Sequence, residues 1–349
     1  MANDPQNIEP SAYPPSQPFP SQPPRTGVHY GPPAGWASGG HPPPSAAPAP
    51  VTLPAGVEYH RVYAARKPGI GRGIAALVLL FAGMLIIGMI IGIGGAGIDA
   101  VLGNDSVLLG GAGYTPALHA ASLLGIAVIL PWAMVIQLWL YRVPAASLHS
   151  VLSVFRWEIF GRCLAVVVPL WTVGLAVVTA LTPTDSIPWS VADLIALFVV
   201  TVLLTPLQAA AEEYGFRGLA FRVGGGWGRT PAVGLVIGVL LSSVLFTVSH
   251  LALDPWLNLY YFIFGATLCL ITWRSGGLEI AVVIHAVNNT LAFLLALVLW
   301  ADFAAGWDRS VGTGSPLVLV LCALLIGVCA IVWRITRRSG PGRTPVPAG

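Results

Sequence analysis

Charge is what this sequence has least of. Only 9% of its 349 residues are Asp, Glu, Lys or Arg, against about 25% in an ordinary soluble domain, which excludes that class. Cysteine is scarce as well. Cys163, Cys269, Cys322 and Cys329 form no CxxC pair, so neither a disulfide framework nor a cysteine metal site is indicated. Small buried packing residues is the reading that remains for them. The short alternating segments of a transmembrane β-barrel are missing, and so is the inverted repeat that many transporters carry. The N-terminus lacks the basic start, apolar stretch and cleavage site of a signal peptide.

Apolar length is abundant. The chain is 56% hydrophobic with a mean hydropathy of +0.79, and apolar runs of about 20 residues recur, enough to cross a hydrocarbon core about 30 Å thick. The expected fold is all-α and polytopic, with about eight transmembrane helices near 74–95, 117–141, 163–182, 190–211, 232–252, 256–273, 279–300 and 316–334. Gly88 and Gly92 add a weak GxxxG packing signal to the first. Residues 1–60, rich in Pro, Gly, Ser and Ala, cannot bury enough apolar surface to order themselves and read as a disordered cytoplasmic tail. A polyproline-binding partner for that tail is the alternative to a plain disordered one. Residues 61–338 form the membrane domain, and 339–349 a second disordered cytoplasmic end.

Basic residues set the orientation. Arg61, Arg66, Lys67 and Arg72 precede the first span, and Arg142, Arg156 and Arg162 separate the second from the third. Arg217, Arg222 and Arg229 follow the fourth, Arg274 the sixth, and Arg334, Arg337, Arg338 and Arg343 the eighth. The opposite side carries only Arg309, with Asp99, Asp105, Asp185, Asp254, Asp302 and Asp308. The positive-inside rule then places both termini in the cytoplasm, in a multi-pass protein of the plasma (inner) membrane. The net charge of +3 is thereby explained by topology; the partner is the bilayer, not nucleic acid.

Against this background three polar clusters stand out, because an ionised group in a membrane helix costs about 2.5–3.5 kcal/mol on insertion scales. They are Glu212, Glu213 and Arg217 in EEYGFR, His250 in FTVSH, and His285, Asn288 and Asn289 in HAVNN. Glu213 and Arg217 are four apart and suited to an ion pair; Glu212 projects about 100° away, free for chemistry. His285 and Asn289 share a face, and Phe246 lies one turn before His250. Taken singly, each cluster has a plain explanation as interfacial charge or helix–helix glue. Together they supply a carboxylate, two imidazoles, a carboxamide and a guanidinium, an inventory suited to activating water and stabilising an oxyanion.

EExxxR, FxxxH and HxxxN in this order resemble the CPBP family, the CAAX-prenyl-protease and bacteriocin-processing group also called Abi proteins. The resemblance covers about residues 190–300. It implies an intramembrane endopeptidase with a polar cavity open toward the cytoplasm, cutting a peptide or protein that is membrane-associated or lipidated. By the family pattern Glu212 and His250 activate the water, His285 and Asn289 hold the oxyanion, and Glu213 and Arg217 shape the site or bind substrate, with Phe246 and Asn288 in support. Zinc held by Glu212, His250 and His285 is the alternative to a metal-free reaction; with no HExxH present, the metal-free scheme is preferred. From other classes, a proton-coupled transporter and a non-catalytic scaffold or immunity protein remain open.

Straight spans would leave Glu212 at a cytoplasmic end and His250 near an outer one, about 15–20 Å apart in depth, whereas the scheme needs them within about 10 Å. Either the fourth helix continues past 211 toward 222, with Pro206 as a kink site, or the fifth begins deep. Gly224, Gly225, Gly226 and Gly228 would let the intervening loop dip inward.

Overall fold

An apolar segment can cross lipid only if its backbone polar groups are satisfied internally, which a helix achieves. The computed structural model describes residues 53–66, 69–111, 113–182 and 185–346. Among them eight helices are long and apolar enough to cross a membrane, and no β-strand forms. The chain is an integral membrane protein. The helices are α1 (Ile70–Leu102), α2 (Pro116–Tyr141), α3 (Trp157–Leu181), α4 (Val191–Trp227), α5 (Pro231–Ser249), α6 (Pro255–Ser275), α7 (Glu279–Val298) and α8 (Val318–Thr336). Their starts follow local chemistry. The side chains of Thr115, Ser190, Thr230 and Asp254 accept first-turn N–H groups, and Pro116, Pro231 and Pro255 occupy first-turn positions where a missing donor costs nothing.

Seven spans match the hydropathy reading, five to within two or three residues, while the first ends seven residues later and the third begins six earlier than expected. The fourth does not stop near 211. It runs 37 residues to Trp227, widening after Glu213 into a π-helical stretch, Tyr214–Ala220, before returning to α geometry over Phe221–Trp227. Of the two solutions to the depth problem, continuation of the fourth helix is the one adopted. Gly224 and Gly225 are accordingly not in a flexible dipping loop. They are helical and serve close packing: a Cβ on Gly224 would stand 2.8 Å from the Cα of Gly238 on α5. Arg217 and Arg222, read above as loop charges following the span, lie inside the helix and are fully buried. The reason is tertiary pairing, which hydropathy does not register.

α4 packs against α2 and α7, α7 against α3, α5 against α6, and α6 against α8. α1 lies along α2, where Gly125 approaches Gly88; at Gly92, the other half of the GxxxG, an added Cβ would meet no atom within 4 Å. The outward faces are apolar, with Leu85 68%, Ile93 66% and Leu203 62% exposed, as lipid requires and water would penalise.

Two tail boundaries need correction. Residues 53–60 and 339–346, expected as parts of disordered ends, pair with each other: Thr344 N–H donates to Val57 O at 2.9 Å and Gly56 N–H to Thr344 O at 3.1 Å. Tyr59, His60 and Tyr63 are buried against the helices because their rings complete an apolar cluster with Leu148, Phe221 and Val223. The disorder and the polyproline-binding partner expected of residues 1–52, and the disorder expected of 347–349, lie outside the described residues. The face carrying 53–66 and 339–346 is called proximal below, and the opposite one distal.

Candidate functional site

Extension of α4 places Glu212 in mid-helix, beside the buried half of α7. The two glutamates then meet different surroundings. Glu213 is fully buried; its Oε2 is 3.0 Å from Arg217 Nε and its Oε1 accepts from His285 Nδ1 at 2.6 Å. Glu212 keeps 12% of its side chain exposed, and its Oε2 faces His285 Nε2 at 3.4 Å. His285 therefore spans both carboxylates, one through each ring nitrogen. With Nδ1–H committed to Glu213, a neutral ring would present a lone pair to the Glu212 oxygen. Two acceptors face each other stably when a proton, a water or a cation lies between them. Glu212 Oε2 has no hydrogen-bond donor among the described residues.

The other oxygen of Glu212 is held by a relay of carboxamides. Gln208, one turn earlier on α4, donates to Glu212 Oε1 at 2.8 Å and accepts from Asn289 Nδ2 at 3.2 Å. Asn288 donates to Asn289 Oδ1 at 3.0 Å, while its own carbonyl accepts from Trp171 Nε1 and Tyr260 OH. Asn288 thus fixes Asn289, and Asn289 keeps one amide hydrogen free. Gln208 escaped the sequence reading, although a lone amide four residues before Glu212 in an apolar run was the signal.

His250 caps the distal end of α5. Its Nδ1–H donates to Phe246 O at 2.7 Å, which leaves Nε2 as the acceptor, and its ring stacks on Tyr261 at 3.8 Å. Among the described residues no hydrogen bond or ion pair joins His250 to Glu212. The imidazole within ion-pair distance of that carboxylate is His285's. The Phe246 ring contacts both histidines edge-on, 4.6 Å from His250 and 5.9 Å from His285, so they are no further apart than those spans laid end to end. Phe246 also carries the Arg217 guanidinium over its face at 4.1 Å, a cation–π contact that offsets part of the charge's burial. Arg309, from the distal loop before α8, donates from Nη1 to Tyr261 OH. Burial lowers its pKa, and the Glu212 charge opposes that shift. Tyr261, Phe264 and Arg309 were not legible as site residues, because each reaches the site through tertiary packing.

Among the described residues no three His, Cys, Asp or Glu side chains converge as a metal-binding set. Glu212 and His285 face each other at 3.4 Å. A cavity of about 650 Å³ at the proximal end is lined by Ile159, Arg274, Thr336 and Arg343 among others, and by none of the motif residues. The site is marked by its chemistry, not by its volume.

The resemblance read from the three motifs is borne out over this part of the chain: residues 188–291 match the family described as type II CAAX prenyl endopeptidase, Rce1-like. The uncharacterized protein YyaK of Bacillus subtilis (strain 168) is 31% identical over 100 residues, 27% of this chain and 32% of that protein. The chain thus spans about a third of the curated relative it matches. No solved structure matches.

Proposed function

We propose that the chain is an intramembrane endopeptidase of the CAAX-protease type, in which Glu212 is the general base. The observation that carries this reading is the contrast between adjacent carboxylates: Glu213 is fully buried with ion-pair partners at both oxygens, Arg217 at 3.0 Å and His285 at 2.6 Å, while Glu212 keeps part of its side chain exposed and faces one imidazole at 3.4 Å. In the reaction, Glu212 takes a proton from water as the water oxygen bonds to the scissile carbonyl carbon. His285, protonated at Nε2 and anchored through Nδ1 by Glu213, donates with the free Asn289 amide hydrogen to the developing oxyanion. The carbon–nitrogen bond then breaks and Glu212 returns its proton to the leaving amine. His250, with Nε2 unprotonated beside Phe246, orients the water from the distal side. Arg217 neutralises Glu213, so the cluster holds one mobile proton and not two competing charges.

The scheme is metal-free, in keeping with the absence of an HExxH motif. Both termini lie in the cytoplasm, in keeping with the Lys and Arg distribution, and the membrane is the plasma membrane. Comparative proteomics of membranes carrying the wild type or Glu212→Gln should reveal peptides present only with the wild type. Identical peptide sets would refute the hydrolase. Elemental analysis of the purified active protein should find no stoichiometric zinc, and a chelator should leave cleavage intact.

A further inference from the structure

The proximal cavity of about 650 Å³ has two unlike halves. One wall is aliphatic, made by Ile159 of α3, Ile280 of α7, and Val332 and Ile335 of α8. Ile335 is 75% exposed, a surface that suits acyl chains and not water. The other half is polar, with Arg274, Thr336, Ser339 and Arg343, and no carboxylate lines the cavity. At about 30 Å³ per water the space equals roughly twenty waters, far more than a lone anion fills.

Arg274, in the last turn of α6, is buried yet only partly engaged. Its Nε donates to Thr336 Oγ1 at 3.0 Å and its Nη2 to Thr336 O at 2.6 Å, while Nη1 finds no acceptor among the described residues. The nearby carboxylates are taken: Glu58 by Arg343 at 3.3 Å and Glu279 by Arg156 at 2.6 Å. The chain after α8 folds back over this end. Gly342 N–H donates to Arg274 O at 3.3 Å, and a Cβ on Gly342 would stand 2.7 Å from Gly276 Cα. That fold-back is what brings Arg343 to the same cavity. Exposed Arg334, Arg337 and Arg338 add positive charge at the end of α8. Trp273 and Trp333 lie beside Arg274, its Cζ 5.4 and 4.6 Å from their ring centres, and amphipathic rings of this kind favour the membrane interface.

We propose that this cavity binds the phosphate headgroup of an anionic membrane lipid, with Arg274 Nη1 and Arg343 on the phosphate and the acyl chains along the Ile335 side. A guanidinium with an unmatched donor and no carboxylate beside it fits an anionic oxygen, and basic pockets between membrane helices suit such headgroups. Free phosphate would satisfy the arginines but leave the aliphatic wall uncovered; a lipid satisfies both halves. They meet beside the tryptophans, at the level where headgroup gives way to chain. The bound lipid ties α3, α6, α7, α8 and the C-terminal segment together, so stability depends on the charge of the membrane. The cavity shares no residue with the Glu212 cluster, and the lipid site stands whether or not that cluster hydrolyses peptides.

The full chain in a neutral detergent is titrated with dioleoyl phosphatidylglycerol, with dioleoyl phosphatidylcholine and with inorganic phosphate. Native mass spectrometry reads the molecules retained, and the melting temperature reads their effect. One phosphatidylglycerol per chain should be retained and should raise the melting temperature, with phosphatidylcholine about tenfold weaker. Equal retention of the two lipids would reduce the cavity to an apolar surface and overturn the recognition of charge. Inorganic phosphate that binds as tightly as the anionic lipid would overturn the lipid and leave a free-phosphate site. Arg274→Gln should weaken phosphatidylglycerol binding about tenfold. Ser339→Glu sets a carboxylate at the exposed rim while leaving the Arg274–Thr336 bonds in place, should weaken it similarly, and keeps the test open should Arg274→Gln not fold. The Arg337→Gln, Arg338→Gln double variant removes exposed charge from outside the cavity and should change affinity less than about twofold. If it weakens binding as much as the cavity variants do, the attraction is diffuse surface charge and the site is refuted.

Discussion

Arg217 and Arg222 sit five residues apart on the same helix, both fully buried, and are held in opposite ways. Arg222 places both Nη groups on fixed oxygens of Gln137 and Ser147 and lays its plane over Tyr59 at 4.1 Å. Arg217 has only the Glu213 pair and the faces of Phe246 and Phe264; its Nη1 and Nη2 find no acceptor among the described residues. A buried polar network that satisfies most of its donors, as Arg222 does with Nε alone unmatched, is structural glue. One that leaves groups unpaired keeps the capacity to meet something else, and it is the one beside Glu212. The two regions divide α4: its proximal third is packed shut, and its middle carries the candidate site.

The largest expected effect tests the reactive side. Glu212→Gln keeps shape and removes the base, so cleavage should fall about 10³-fold while the melting temperature stays near wild type. A loss of folding in parallel would mean Glu212 belongs to the structural class. Glu213→Gln should do the reverse in kind, leaving a buried guanidinium unpaired at a cost of about 3–5 kcal/mol, read as lost yield of folded protein in detergent. On the packed side, Arg222→Lys cannot span Gln137 and Ser147 together and should cost about 1–3 kcal/mol, with cleavage per folded molecule unchanged. If that variant instead alters cleavage, the division between packed third and site is wrong.

The smallest effect is the pH response of the proximal cap. Burial lowers the pKa of His60, which donates to Pro231 O, and of His149, which is bonded to Tyr214 OH. Folded values below the unfolded one, about 6.5, mean that unfolding takes up protons in acid. Stability should therefore hold above about pH 6.5 and decline as pH falls below it. Melting temperatures across pH should flatten in a His60→Gln, His149→Gln double variant.

Seven helices were legible because lipid imposes one rule, apolar length, that sequence displays directly. The fourth was misjudged at its end for a physical reason. Glu212 through Arg222 looks like a departure into water, yet those charges stay in the protein because Glu213, Gln137, Ser147 and two aromatic faces receive them. The three motifs were visible as types and spacings. Their pairings were not: that His285 meets Glu212, that Gln208 links Glu212 to Asn289, and that Phe246 contacts both histidines all depend on which helix faces which.

Composition and spacing were enough to dictate an oily body of eight helices carrying an acid, two imidazoles and an amide, since hydrophobic length and intrahelical neighbours are properties of the chain read one stretch at a time. Packing alone decided which glutamate is fully buried between Arg217 and His285 and which keeps an exposed edge, because a buried charge answers to partners that arrive from distant parts of the sequence.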